Sequence, residues 1–201
     1  MVTKRFRFKK FIKSKKPLIK EWTETIVIAT LLALFIRSFI VQPFKIPTGS
    51  MRMTLIEKDR ILVNRFIYGL RIPFTTTRFF KFKYPERGDI IVFNYPEDTK
   101  RAFIKRLIAK EGDIVEIKDG KIYIDAKEFK HPSVENIYYY NRGDFGLIDQ
   151  KVIVPKNKYF VLGDNSGSSR DSRYWGFVDD KYLIGKAFLI YWPISRLQAI
   201  K

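Results

Sequence analysis

The sequence predicts a mostly β domain preceded by one N-terminal membrane-spanning helix, and three observations lead there. From Thr25 to Phe44 the chain reads TIVIATLLALFIRSFIVQPF, twenty residues with a single charge, Arg37. At about 1.5 Å per residue this run spans the roughly 30 Å of a bilayer core. After Pro47 the pattern changes to short runs of Val, Ile, Phe and Tyr punctuated by Gly, Pro, Asp and Asn, the mark of short strands and turns. The 201 residues include no Cys and one His, which excludes disulfides, thiolate nucleophiles, cysteine zinc sites and multi-histidine metal sites.

Nine of the first twenty residues are basic (Lys4, Arg5, Arg7, Lys9, Lys10, Lys13, Lys15, Lys16, Lys20) and none is acidic, so half of the net charge of +18 sits in a tenth of the chain. Basic residues directly before an apolar span stay on the cytoplasmic side, where each gains on the order of 1 kcal/mol near anionic lipid. The expected organisation is a basic cytoplasmic segment 1–24, a transmembrane helix 25–44 with Arg37 snorkelling to the headgroups, and an extracytoplasmic domain 45–201. This is a single-pass protein of the inner or plasma membrane, its folded domain periplasmic or extracellular. A buried helix of a soluble domain is the other reading of the run. A cleavable leader would need a small-residue site after it, and PFKIPTGSM has none. Phe6, Phe8 and Phe11 interleave with the basic residues as a stacking surface would, which keeps a membrane-anchored module binding nucleic acid or lipid as a competing class.

Strands are predicted at Asp59–Asn64, Gly88–Phe93, Asp113–Ile117, Lys121–Asp125, Lys158–Leu162 and Lys186–Trp192. Asp119-Gly120 is a hairpin signal, and 114–160 is expected to hold a small β-hairpin subregion. The run Ala187–Trp192 is far too short to cross a membrane. Arg65–Tyr84, RFIYGLRIPFTTTRFFKFKY, alternates aromatic with basic residues and contains no acid. It reads either as a segment lying on lipid or as an edge hairpin whose alternate rings are core. His131, between Lys130 and Pro132, is expected in an exposed loop.

Three segments carry candidate chemistry. Pro43 and Pro47 stop the helix, and Gly49 frees the backbone beside Ser50; by itself that serine suits a turn as well as a nucleophile. Lys105 lies between Phe103-Ile104 and Leu107-Ile108. Turned inward it would be desolvated, its pKa would fall, and the neutral amine could act as a general base. Turned outward, Lys105 and Arg106 are two solvated charges at a strand end. Gly163–Gly176, GDNSGSSRDSRYWG, packs four serines and two Asp-Arg opportunities into fourteen residues, and by composition alone is a flexible polar loop. A Ser-His-Asp triad would depend on His131.

Joined in order, IPTGSM after an apolar anchor, GDIIVF, FIKRLIAKEGD and GDNSGSSRDSRYWGFV resemble the motifs of type I signal peptidases (leader peptidases), membrane-bound Ser/Lys endopeptidases, over residues 22 to 193. The resemblance implies a signal-peptidase-like β catalytic domain that removes signal peptides from exported preproteins at the outer face of the membrane, with no cofactor and no metal. By motif position it implies Ser50 as nucleophile and Lys105 as general base. Thr48 falls where a hydroxyl helps the Ser50 backbone N–H form the oxyanion hole, and Ser169 where a serine hydrogen-bonds and orients the lysine. Asp171 and Arg173 match an ion pair supporting that loop, with Asp164 as further structural support.

The family prefers small residues, typically Ala, at positions −1 and −3 from the cleaved bond. By motif position, Phe44, Ile46, Pro47, Met51, Leu55, Val92 and Ile104 would line those pockets beside an extended substrate strand. The implied partners are signal peptides of secretory preproteins and membrane lipid, with no nucleic acid. The chain departs from the pattern at Met53, where the family usually has Pro, and at Lys110-Glu111-Gly112-Asp113, where it has Leu-Pro-Gly-Asp. A self-cleaving Ser/Lys repressor-type protease shares the chemistry but needs a DNA-binding helix-turn-helix where this chain has its apolar run.

Overall fold

The computed structural model describes residues 18–71, 78–79 and 82–200; the basic segment ahead of Leu18 lies outside them. The chain divides into two compact units, Met1–Ile36 and Arg37–Lys201. The first contains most of helix α1 (Leu18–Phe39), a run free of Gly and Pro with Glu21 in its first turn and Arg37 in its last, the placement that opposes the helix dipole. Trp22, Ile26, Ile28, Leu31, Leu32 and Phe35 are exposed on it. Among the described residues no helix is long and apolar enough to cross a membrane; Lys20, Glu21, Glu24 and Arg37 shorten the uninterrupted apolar stretch. The expected span 25–44 is also corrected at its end. The helix stops at Phe39, because Pro43 has no N–H to donate and Val41–Lys45 pairs as a strand with Arg60–Asn64.

The strands in chain order are β1 (Val41–Lys45), β2 (Arg60–Asn64), β3 (Leu70–Arg71), β4 (Arg78–Phe79), β5 (Ile90–Tyr95), β6 (Asp98–Lys110), β7 (Ile114–Lys118), β8 (Lys121–Ile124), β9 (Lys127–Glu128), β10 (Lys151–Ile153), β11 (Lys158–Leu162), β12 (Val178–Asp179), β13 (Leu183–Trp192) and β14 (Gln198–Ala199). One sheet runs β1-β2-β13-β5-β6-β11-β12, with β14 on β13, and a second runs β10-β7-β8-β9. Strand β5 buries Ile90, Ile91, Val92 and Phe93 in succession, as a central strand covered on both faces does. Strand β6 pairs with β5 from Asp98 to Arg106 but with β11 only from Arg106 to Lys110. Its second edge from Asp98 to Lys105 therefore has no strand neighbour among the described residues.

The expected small hairpin within 114–160 is instead a four-stranded sheet. Its turn at Asp119-Gly120 has positive φ at both residues, 51° and 76°, the geometry a two-residue hairpin loop needs. Ile117, Ile122, Ile124, Val134, Tyr139 and Val152 pack there against Ile108, Phe160 and Leu162 of the main sheet. Within Arg65–Tyr84, β3 and β4 form an antiparallel pair, Tyr68 is core, and Phe66 stacks on Phe82 with ring centroids 4.4 Å apart; residues 72–77 and 80–81 lie outside the described residues. His131 is half-buried rather than exposed. It stacks on Phe129 and covers Gly88, and burial lowers its pKa, the charge of Arg106 acting in the same direction.

Candidate active site

Beyond β1 the chain closes on itself, Ile46 N–H donating to Asp59 O and Lys58 N–H to Ile46 O. Within that loop Gly49–Met51 forms a single 3₁₀ turn. Met51 anchors it from below, fully buried against a cluster that includes Ile46, Leu55, Ile90 and Val92. Ser50 at its centre is thereby fixed. The loop after β11 is stitched to the same turn: Asn165 N–H donates to Ser50 O at 3.0 Å, and Asn165 Nδ2 to Gly49 O at 2.9 Å. A Cβ on Gly163 would lie 2.1 Å from Ser169 Oγ and 2.6 Å from Ser50 O, so only glycine allows this approach.

Strand β6 delivers Lys105 into the site. Its side chain is 3% exposed, and Nζ lies 2.6 Å from Ser50 Oγ. Burial lowers its pKa to about 8, against the opposing pull of the Asp171 and Asp164 carboxylates. A desolvated amine within hydrogen-bond distance of a hydroxyl is an arrangement able to remove the hydroxyl proton.

Two buried ion pairs hold the surroundings. Arg106 Nε and Nη2 clasp Asp164 at 2.9 and 2.7 Å, while Nη1 donates to Gly88 O at 2.6 Å. Thr54 Oγ1 donates to the same carboxylate. Arg173 Nε and Nη2 each reach Asp171 at 2.8 Å, and Nη1 donates to Tyr140 O and Ser166 Oγ, both at 2.9 Å. Asp171 accepts in addition from Gly163 N–H and caps the short helix α2 (Ser172–Trp175). All four charged side chains are fully buried, which a structure tolerates only when they are paired and hydrogen-bonded. Gly163–Gly176 is thus a wired segment and not the flexible loop its composition suggested. Sequence reasoning missed Arg106; the signal was there, since Asp164 needs a cation and Arg106 adjoins the singled-out lysine.

Other expected residues divide. Thr48 is exposed, its side chain makes no capping hydrogen bond, and it lines a cleft of about 300 Å³ together with Pro47, Ser50, Ile104 and Lys105. Ile46, Met51, Leu55 and Val92 are buried core beneath the turn, and Phe44 packs half-buried against them, so they support the cleft and do not form its open wall. The wall includes instead Ala102, Phe103, Ser168 and Arg170. Ser169 Oγ is buried and has no hydrogen-bond partner among the described residues, Lys105 included; the backbone at Ser169 is extended, and that oxygen lies against the open side of Gly163.

The signal peptidase, peptidase S26, family model matches residues 19–192. Signal peptidase I of Pseudomonas fluorescens is 32% identical over 218 residues, covering 92% of this chain and 77% of the relative. Probable signal peptidase I-2 of Synechocystis sp. is 37% identical over 194 residues, covering 92% and 80%. Signal peptidase I P of Bacillus subtilis subsp. natto is 35% identical over 201 residues, covering 94% and 97%. Among solved structures, a signal peptidase I of Enterococcus faecalis aligns with a TM-score of 0.44 at 33% identity, over 52% of this chain and 97% of that one.

Proposed function

The chain belongs to the signal peptidase family, peptidase S26, and is a serine endopeptidase; from that premise we propose that it cleaves signal peptides from exported preproteins with Ser50 as nucleophile and Lys105 as general base. The observation that carries this reading is the 2.6 Å separation of a buried Lys105 Nζ from Ser50 Oγ. Neutral Lys105 takes the Ser50 proton as Oγ attacks the scissile carbonyl. The Ser50 backbone N–H, with Thr48, stabilises the oxyanion. The Lys105 ammonium then returns its proton to the leaving amine, and the freed amine activates the water that hydrolyses the acyl-enzyme.

The signal-peptide segment lies extended along the second edge of β6, which from Ala102 to Lys105 has no strand neighbour among the described residues and can take an added strand. Small side chains at −1 and −3 fit a cleft walled by Pro47, Ala102 and Ile104 over a close-packed floor. A preprotein with an Ala-X-Ala site, incubated with purified protein, is expected to release a fragment whose mass places the cut after the second Ala. Phe at −1 should lower kcat/KM about 10–100-fold. No cut, or one indifferent to that Phe, would overturn the proposed specificity.

The proposal includes a single membrane anchor with the N-terminus cytoplasmic and the folded domain, from β1 onward, outside. The exposed apolar side chains of α1 and the basic residues before it support this. Alkaline carbonate extraction should leave the chain in the membrane pellet; recovery in the supernatant would contradict the anchor.

A further inference from the structure

Where β11 ends its pairing with β6, the loop 163–171 takes over and brings Arg170 to the cleft that holds Ser50 and Lys105. Arg170 Nη2 donates to Glu97 Oε2 at 3.1 Å. Glu97 lies in the turn between β5 and β6 and also accepts from Tyr95 Oη. Tyr95 stacks on Phe103 at 4.3 Å and meets Trp175 edge-on at 5.0 Å, so Glu97 is held by a packed aromatic group. Arg170 is 66% exposed. A guanidinium has five N–H donors in a planar fork, and the bond to Glu97 engages one of them. The neighbouring cleft residues Pro47, Ala102, Phe103 and Ile104 are uncharged.

We infer that Arg170 is a specificity-determining residue that reads an acidic side chain on the polypeptide lying along the β6 edge. Glu97 competes for the same guanidinium and sets how strongly that side chain is favoured over a basic one. The inference rests on the reading of this cleft as the peptidase site.

The test uses full-length protein and peptides carrying an Ala-X-Ala site, with Gln, Glu or Lys placed one position at a time on both sides of the cleaved bond. In each enzyme the Glu and Lys rates are divided by the Gln rate, which removes any general loss of activity. At one position wild type is expected to favour Glu over Lys by about three- to tenfold at low salt, in keeping with exposed charge pairs, and less at high salt. Arg170→Gln should bring the ratio to about one, Arg170→Glu should invert it, and the milder Glu97→Gln should enlarge it. A ratio that is the same in wild type and all three variants at every position overturns the inference. Ser50→Ala is run in parallel: cleavage retained there sinks the peptidase reading itself, whereas an inert Ser50→Ala beside unchanged ratios sinks only the role of Arg170.

Discussion

Lys105→Met is expected to slow preprotein cleavage by about 10²–10⁴-fold, the usual contribution of a positioned general base, with Ser50→Ala losing at least as much. The same substitution is expected to stabilise the fold, which separates a catalytic loss from a folding defect. The amine has a pKa of about 8 in the folded protein against 10.5 for an ordinary lysine. Below about 8 the folded state must hold a buried ammonium, a penalty on the order of 3 kcal/mol. That penalty fades as pH rises from about 8 to 10.5, because over this window the unfolded chain binds the proton that the folded one has released. Methionine, similar in length and uncharged, never incurs it. Denaturant midpoints at pH 6 should therefore rise in the variant, and the gain should vanish near pH 10.5. A variant that is inactive and also less stable at pH 6 would point to a structural role for the lysine.

Asp164→Asn is expected to be strongly destabilising. It leaves the Arg106 guanidinium fully buried beside a neutral amide, and breaking a buried pair from one side costs about 3–5 kcal/mol. Against a total of about 5–15 kcal/mol for a domain, this is enough to lower the midpoint sharply. Replacing both partners with apolar residues of similar volume, Arg106→Met with Asp164→Leu, should recover most of the loss, since the expense lies in the unpaired charge. A midpoint unmoved by Asp164→Asn would mean that Arg106 is not desolvated. Removing this carboxylate also takes away one of the groups that raise the Lys105 pKa, so the folded variant should keep its amine neutral to lower pH.

The strands β2, β5, β7, β8, β11 and β13 were legible because their side chains alternate or run apolar between turn residues, and Asp119-Gly120 announced its hairpin. β1 was not, because Val41–Lys45 continues the apolar run of α1 and hydropathy does not distinguish a strand from the end of a helix. Pro43 was the mark, and it is tolerated there because β1 is an edge strand. β6 is not among the expected strands: its first residues, Asp98–Arg101, are polar and meet β5 only at Asp98, across an irregularity in the pairing. At the site, Ser50 and Lys105 stand fifty-five residues apart and were linked by motif, not by any local pattern. Arg106 reads with Lys105 as one of two solvated charges when the strand is turned outward, although both are buried, Lys105 against Ser50 and Arg106 against Asp164. The resemblance places Ile46, Met51, Leu55 and Val92 at the pockets by motif position, which does not separate a wall from the core behind it.

The central claim is that a neutral Lys105 activates Ser50. It is tested most directly by the pH dependence of kcat/KM between pH 6 and 10 on a substrate with no ionisable side chain near the cleaved bond. With a pKa of about 8, the rate should climb roughly tenfold per pH unit from pH 6 toward 8 and level off above it, as the neutral fraction does, and the residual rate of Lys105→Met should show no such rise. A wild-type rate that is flat across this range, or that falls as pH increases, would contradict the claim.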